Sequence, residues 1–217
     1  MATYLDVVNN VLRRLREPTV ISVNDTPYSS MIGVLVNDAK REVEDATEWN
    51  ALSSTVTVST VDGTYNYTLT GAGTRFRVID VINDTTNTLM QNAPTTWMTK
   101  QFLFTSDNDK GTPLYYNFNG VDSSGDTQVD LFERPDGVYS IRFNLVIPQA
   151  ELSTDTTRIL VPDHLVGMLA YAKAIAERGE DGGNLASEAY ALYKNALANE
   201  VSIERNRYGE EINWVAP

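Results

Sequence analysis

The hydrophobic period of this chain changes twice along its length. From Thr3 to Arg16 and from Pro27 to Trp49 apolar side chains recur at helical spacing. From Ser53 to Ile147 they alternate at a period of two, and helical spacing returns after Pro162. A chain that starts and ends in amphipathic helices must bury those apolar faces somewhere, and neither terminal pair covers its own. The economical solution is an α+β fold: a four-helix bundle built from both chain ends (residues 1–52 and 151–207), with residues 53–150 inserted as an antiparallel β-sandwich or small barrel. Residues 208–217 then form a C-terminal arm.

Each helix carries its own boundary signals. Leu5, Val8, Leu12 and Leu15 form the first stripe, which opens at Thr3 and Asp6, a Thr-x-x-acid start, and stops at Glu17-Pro18. Asn24-Asp25-Thr26-Pro27 supplies capping side chains and a first-turn proline for the second helix. Its buried stripe is Tyr28, Ile32, Leu35, Ala39, Val43 and Ala46, with Asp38, Lys40, Arg41, Glu42, Glu44 and Asp45 on the remaining faces, and Trp49 closes it. In the middle region, Val56, Val58 and Val61 and then Tyr65, Tyr67 and Leu69 predict a β-hairpin about Asp62-Gly63. Further strands are expected at Arg75–Ile82, Leu114–Phe118, Gln128–Phe132 and Val138–Ile147, with a short helix between Pro94 and Phe104. At the far end, Leu165, Met168, Leu169, Ala172 and Ala176 share one face. The run Gly179 to Asn184 ends that helix, and Ala186, Ala189, Tyr190, Tyr193, Leu197 and Val201 stripe the next.

Composition narrows the chemistry. The 217 residues contain 42% hydrophobic and 21% charged side chains, the proportions of a folded protein. There is no cysteine, which removes thiolate nucleophiles, disulfides and cysteine-based metal sites. A net charge of −12 without a basic patch disfavours binding to nucleic acid or anionic lipid through phosphate neutralisation. The opening Met1-Ala2-Thr3-Tyr4-Leu5-Asp6 places an acid where a signal peptide carries positive charge, and Arg13, Arg14 and Arg16 interrupt the apolar run beside it. No stretch approaches the roughly 18 apolar residues of a membrane span. The expectation is a soluble protein made in the cytoplasm, with no membrane partner.

The residues that could carry chemistry have mostly plain readings. His164 is the only histidine and sits where a first helical turn begins, so it reads as a surface side chain rather than a base, and no Gly-x-Ser-x-Gly elbow accompanies it. Asp107-Asn108-Asp109-Lys110-Gly111 resembles the opening of a calcium loop, but its glycine comes one place early and Phe118 stands where the bidentate glutamate belongs, so it reads as a loop. Gly71-Ala72-Gly73 lacks the third glycine and the βα context of a dinucleotide site. Among 29 acids some carboxylate pair always lies at glycosidase distance, which decides nothing. The aromatics Tyr65, Tyr67, Tyr115, Tyr116 and Trp97 are read as sheet packing, with stacking on sugars or bases as the alternative. No catalytic residue, metal site or cofactor is assigned. After Val201 the stripe fades, and Glu210 to Pro217 carries Ile212, Trp214 and Val215 in a segment too short for its own core. Either it folds back on its own helices, or Tyr208, Ile212, Trp214 and Val215 bind a partner.

Two blocks of sequence carry a family likeness. Tyr4-Leu5-Asp6-Val7-Val8-Asn9-Asn10-Val11-Leu12-Arg13-Arg14-Leu15, Val36-Asn37-Asp38-Ala39-Lys40-Arg41-Glu42-Val43-Glu44 and Glu48-Trp49 form the first. Pro162-Asp163-His164-Leu165, Ala170-Tyr171-Ala172-Lys173-Ala174, Glu177-Arg178-Gly179-Glu180-Asp181, Ala186 and Tyr190-Ala191-Leu192-Tyr193 form the second. Together they resemble head-to-tail adaptor proteins, the connector or tail-tube group, of short-tailed bacteriophages. The β-region has no counterpart in the likeness. What the resemblance implies is a non-enzymatic structural virion protein at the head-to-tail interface. It would form a ring of about twelve identical subunits between a portal protein and a tail nozzle protein. DNA would pass through the lumen without specific binding during ejection, and the C-terminal arm would reach the portal. The second reading is a carbohydrate-binding or host-recognition accessory protein that uses the β-region.

Overall fold

The computed structural model describes residues 1–104, 110–179 and 183–207. Its helices are α1 (Tyr4–Arg14), α2 (Pro27–Ala46), α3 (Thr95–Phe104), α4 (Asp163–Arg178) and α5 (Asn184–Arg205). The strands are β1 (Ser53–Ser59), β2 (Asn66–Thr68), β3 (Arg77–Asn83), β4 (Thr88–Leu89), β5 (Gln91–Asn92), β6 (Lys110–Gly111), β7 (Tyr115–Val121), β8 (Thr127–Phe132), β9 (Arg134–Pro135) and β10 (Ser140–Val146). The fold is α+β. The chain divides into two compact units, one from residues 1–52 and the chain from Gln149 onward, the other from Ser53–Pro148.

In the first unit, α4 packs against α1, α2 and α5, and α1 also packs on α2. The capping box read from the sequence closes α1: the Thr3 hydroxyl accepts from the Asp6 N–H, and the Asp6 carboxylate accepts from the Thr3 N–H. Thr26 and Ser29 exchange the same pair of bonds ahead of α2, with Pro27 in its first turn. Gly179, at φ 61°, ends α4 in the left-handed conformation that glycine adopts without penalty. Val8, Val11, Ile32, Val36, Val43, Leu165 and Val166 are wholly buried. The α1–α2 contact is close because Gly33 lacks a side chain; a β-carbon there would fall 2.5 Å from the Tyr4 hydroxyl and 2.6 Å from Val23 Cγ1.

Sequence reading misplaced three details of this unit. Lys40 and Glu44, expected on exposed faces of α2, are buried, and Ala46, expected in its stripe, is exposed. Of the stripe expected on α5, Tyr193 alone is fully buried, because this helix packs chiefly on α4 and leaves its other flanks open.

The second unit has one four-stranded sheet ordered β1-β10-β3-β4, another ordered β2-β8-β7-β5, and the pair β6-β9. Val58, Val81, Ile141, Phe143 and Leu145 from the first meet Tyr116, Val129 and Leu131 from the second in one core. None of these sheets closes into a barrel, and they are not wholly antiparallel, since β5 runs parallel to β7 and β6 to β9. The predicted hairpin is also corrected. β1 pairs along its length with β10, from Ser53↔Val146 to Ser59↔Ser140, while β2 joins β8 in the other sheet. The Asp62-Gly63 segment therefore crosses between sheets instead of folding one sheet back on itself.

Candidate functional site

One face of α2 holds the returning chain. Asn37, Lys40 and Glu44 stand at i, i+3 and i+7, so they line a single side of the helix. The Asn37 amide donates to the Leu152 carbonyl at 3.1 Å and accepts from the Leu152 N–H at 2.9 Å. The Lys40 ammonium places its three donors on Glu44 at 3.1 Å, the Gln149 carbonyl at 2.7 Å and the Ala150 carbonyl at 3.2 Å. Glu44 in turn accepts from the Gln149 N–H at 3.2 Å. The Lys40 and Glu44 side chains are 3% and 1% exposed, so each charge is stabilised by these partners rather than by water. Arg41 and Glu151 pair outside them at 3.2 Å, both exposed.

The same segment caps the start of the chain. Tyr4 and Leu5, whose N–H groups have no partner within α1, donate to the carbonyls of Thr157 at 2.8 Å and Asp155 at 3.1 Å. Asp155 also accepts from the Val23 N–H at 3.1 Å. The Tyr4 hydroxyl is held above its ordinary pKa, first by burial and then by Asp155 and Glu151. Residues 149–159 thus form a hub that ties the N-terminus, α2 and the entry to α4 together. Sequence reading missed it. The available signal was a polar set at i, i+3 and i+7 beside the apolar stripe of α2.

His164 is half exposed, with Nε2 3.4 Å from Glu200. Among the described residues no group of three or more His, Cys, Asp or Glu could hold a metal ion. The glycine turn is occupied from within: the N–H groups of Gly71 and Gly73 both donate to the Asp126 carboxylate at 3.0 Å, which holds that carboxyl below its ordinary pKa. Of the calcium-like loop, Asp107, Asn108 and Asp109 lie outside the described residues, while Lys110 binds Asp62 at 2.8 Å.

The β-region aromatics stack on one another. Tyr116 lies in the core, and Tyr67 packs against it. Trp97 of α3 meets Tyr115 at 4.8 Å and Phe132 at 5.5 Å, and Phe102 meets Tyr65 at 4.6 Å and Phe132 at 5.9 Å. The Arg134 guanidinium lies over Tyr65 and Phe102 at 5.1 and 5.7 Å. These rings attach α3 to β7 and β8, the two inner strands of their sheet.

Exposed apolar side chains are spread over both units; they include Ile21 and Val34 in the first, Leu89, Val138 and the neighbouring Leu103 and Phe104 in the second, and Leu185, Leu192 and Ile203 along α5. The partner-binding candidates Tyr208, Ile212, Trp214 and Val215 lie outside the described residues. A family model described as SU10 adaptor protein matches residues 2–213.

The chain belongs to the SU10 adaptor protein family. SU10 adaptors are structural phage proteins and are not known as an enzyme family. Membership makes the chain a virion component that interacts with other virion components and with copies of itself. The likeness to phage head-to-tail adaptors is thereby borne out, and the match spans the β-region that the likeness left uncovered. No helix among the described residues is long and apolar enough to cross a membrane. No curated protein matches this SU10 adaptor chain.

Proposed function

We propose that this protein is a head-to-tail adaptor whose subunits form a ring of about twelve between the portal and the tail nozzle and line part of the DNA ejection channel. The observation that carries the reading is the family match across residues 2–213. The charge supports it: a chain of net charge −12 offers the genome a wall that repels phosphate, so DNA slides past without being held. In this reading α1, α2, α4 and α5 act as one cooperative four-helix bundle, residues 53–150 are an inserted domain, and residues 208–217 are an arm. Tyr208, Ile212, Trp214 and Val215 of that arm anchor in the portal.

The test is native mass measurement of the purified chain mixed with portal rings. The account expects about twelve copies added to each portal dodecamer, and a mixture that stays unassociated contradicts it.

A further inference from the structure

Resting on the adaptor reading above, we infer that the two opposite flanks of α5 are the two halves of a single contact between neighbouring copies of this chain. One flank is a raised apolar stripe. Leu192 and Ile203, 62% and 52% exposed, stand about three turns apart and return to nearly the same angle on the helix. Ala196 and the exposed Asn199 lie between them on that side.

The other flank is a depression. Leu169, Ala172 and Ala176 of α4 and Ala186 and Tyr190 of α5 line an open groove of about 390 Å³, with the Glu42–Lys173 ion pair at its margin. Tyr190 and Leu192 differ by about 160° around α5, so the stripe of one subunit has no access to the groove of the same subunit. A second copy has that access.

The charges agree with this seating. Exposed Glu188 precedes Leu192 by one turn, on the stripe side. The Lys194 ammonium, 4.9 Å from the Tyr190 ring, stands on the groove side. Laying the stripe of one copy in the groove of the next brings acid toward base as apolar surface is covered. A patch and its complement on different faces of one subunit make a head-to-tail contact, and such contacts close into rings when the rotation per step divides a full turn. A closed two-fold pairing of stripe with groove would need both on one face of the subunit, and these lie on opposite flanks of α5.

The absence of native cysteine makes the test clean. In the full chain, Ala176→Cys and Leu192→Cys are introduced singly and together. Both sites are exposed and lie outside the core. Mild oxidation is applied to purified protein at rising concentration and to virions assembled with it. The double variant is expected to give a ladder of covalent oligomers, and each single variant only monomers.

Covalent dimers from Leu192→Cys alone would mean a two-fold contact and overturn the inference, as would a double variant without a ladder in assembled virions. A complementary pair removes dependence on disulfide geometry. Ala176→Arg blocks the groove and Leu192→Asp spoils the stripe, so neither assembles alone, while the mixture forms one-to-one pairs through the intact halves. Failure of the mixture to pair overturns the proposal. Failure of the adaptor reading is a different observation, absence of the chain from virions altogether.

Discussion

Replacing Lys40 with methionine keeps the helical stem of α2 and removes only the ammonium. Three partners lose their donor at once: the Glu44 carboxylate and the carbonyls of Gln149 and Ala150. With the Glu44 side chain only 1% exposed, its charge keeps the Gln149 N–H but loses its buried ammonium partner, and breaking a buried pair in this way costs about 3–5 kcal/mol. For a chain of this size that lowers the melting temperature by roughly 6–20 °C. Arg41→Ala is the internal control. It removes an ion pair whose side chains are 53% and 76% exposed, worth about 1 kcal/mol or less. Adding Glu44→Leu to Lys40→Met removes the stranded charge, so the double variant should be less destabilised than the sum of the singles, by at least about 1 kcal/mol of coupling. Equilibrium unfolding in denaturant measures all four variants. Should Lys40→Met unfold as easily or as reluctantly as Arg41→Ala, the hub at residues 149–159 is not a stabilising element and the reasoning fails.

Other consequences are as specific. Gly33→Ala should destabilise by about 1–3 kcal/mol despite the better helix propensity of alanine, because its β-carbon collides with Tyr4 and Val23; a rise in melting temperature would contradict this close approach. Leu169→Ala and Leu35→Ala should each cost about 2–5 kcal/mol, and stable folding of residues 1–50 alone would refute their place in a shared core. Because the folded pKa of Asp126 is lowered, its contribution is present above about pH 4 and is lost as pH falls through the lowered value. Asp126→Asn should therefore flatten the acid limb of the stability profile, and an unchanged limb counts against the turn. Burial pushes the Tyr193 hydroxyl up to about 12, helped by Glu42 and Tyr190. Stability should therefore fall as pH rises from about 10 through that value, and Tyr193→Phe should remove part of that fall in an alkaline unfolding series.

The helices were readable because their signals are local. Thr3 with Asp6, Thr26 with Pro27, and Gly179 each act within one turn of the boundary they set. The sheet was not readable in the same way. Ser53 pairs with Val146 across most of the second unit, and nothing near Asp62-Gly63 signals that β1 and β2 belong to different sheets. Alternation reports which residues face a core, not which strand lies alongside. Lys40 and Glu44 were misread for a related reason: their burial depends on Gln149 and Ala150, more than a hundred residues away. On α5 the expected stripe is real as a pattern, but with α4 as the main partner only Tyr193 is fully covered among its apolar residues. The family likeness was legible in the terminal helices because their stripes and boundary residues stand close together in the sequence.

Electron cryomicroscopy of the virion that carries this chain tests the central claim most directly. The account predicts a ring of this protein directly between portal and tail nozzle, coaxial with the DNA channel, with its C-terminal arm against the portal. Density for the chain in a peripheral fibre, or no density for it at the head-to-tail junction, would contradict the account.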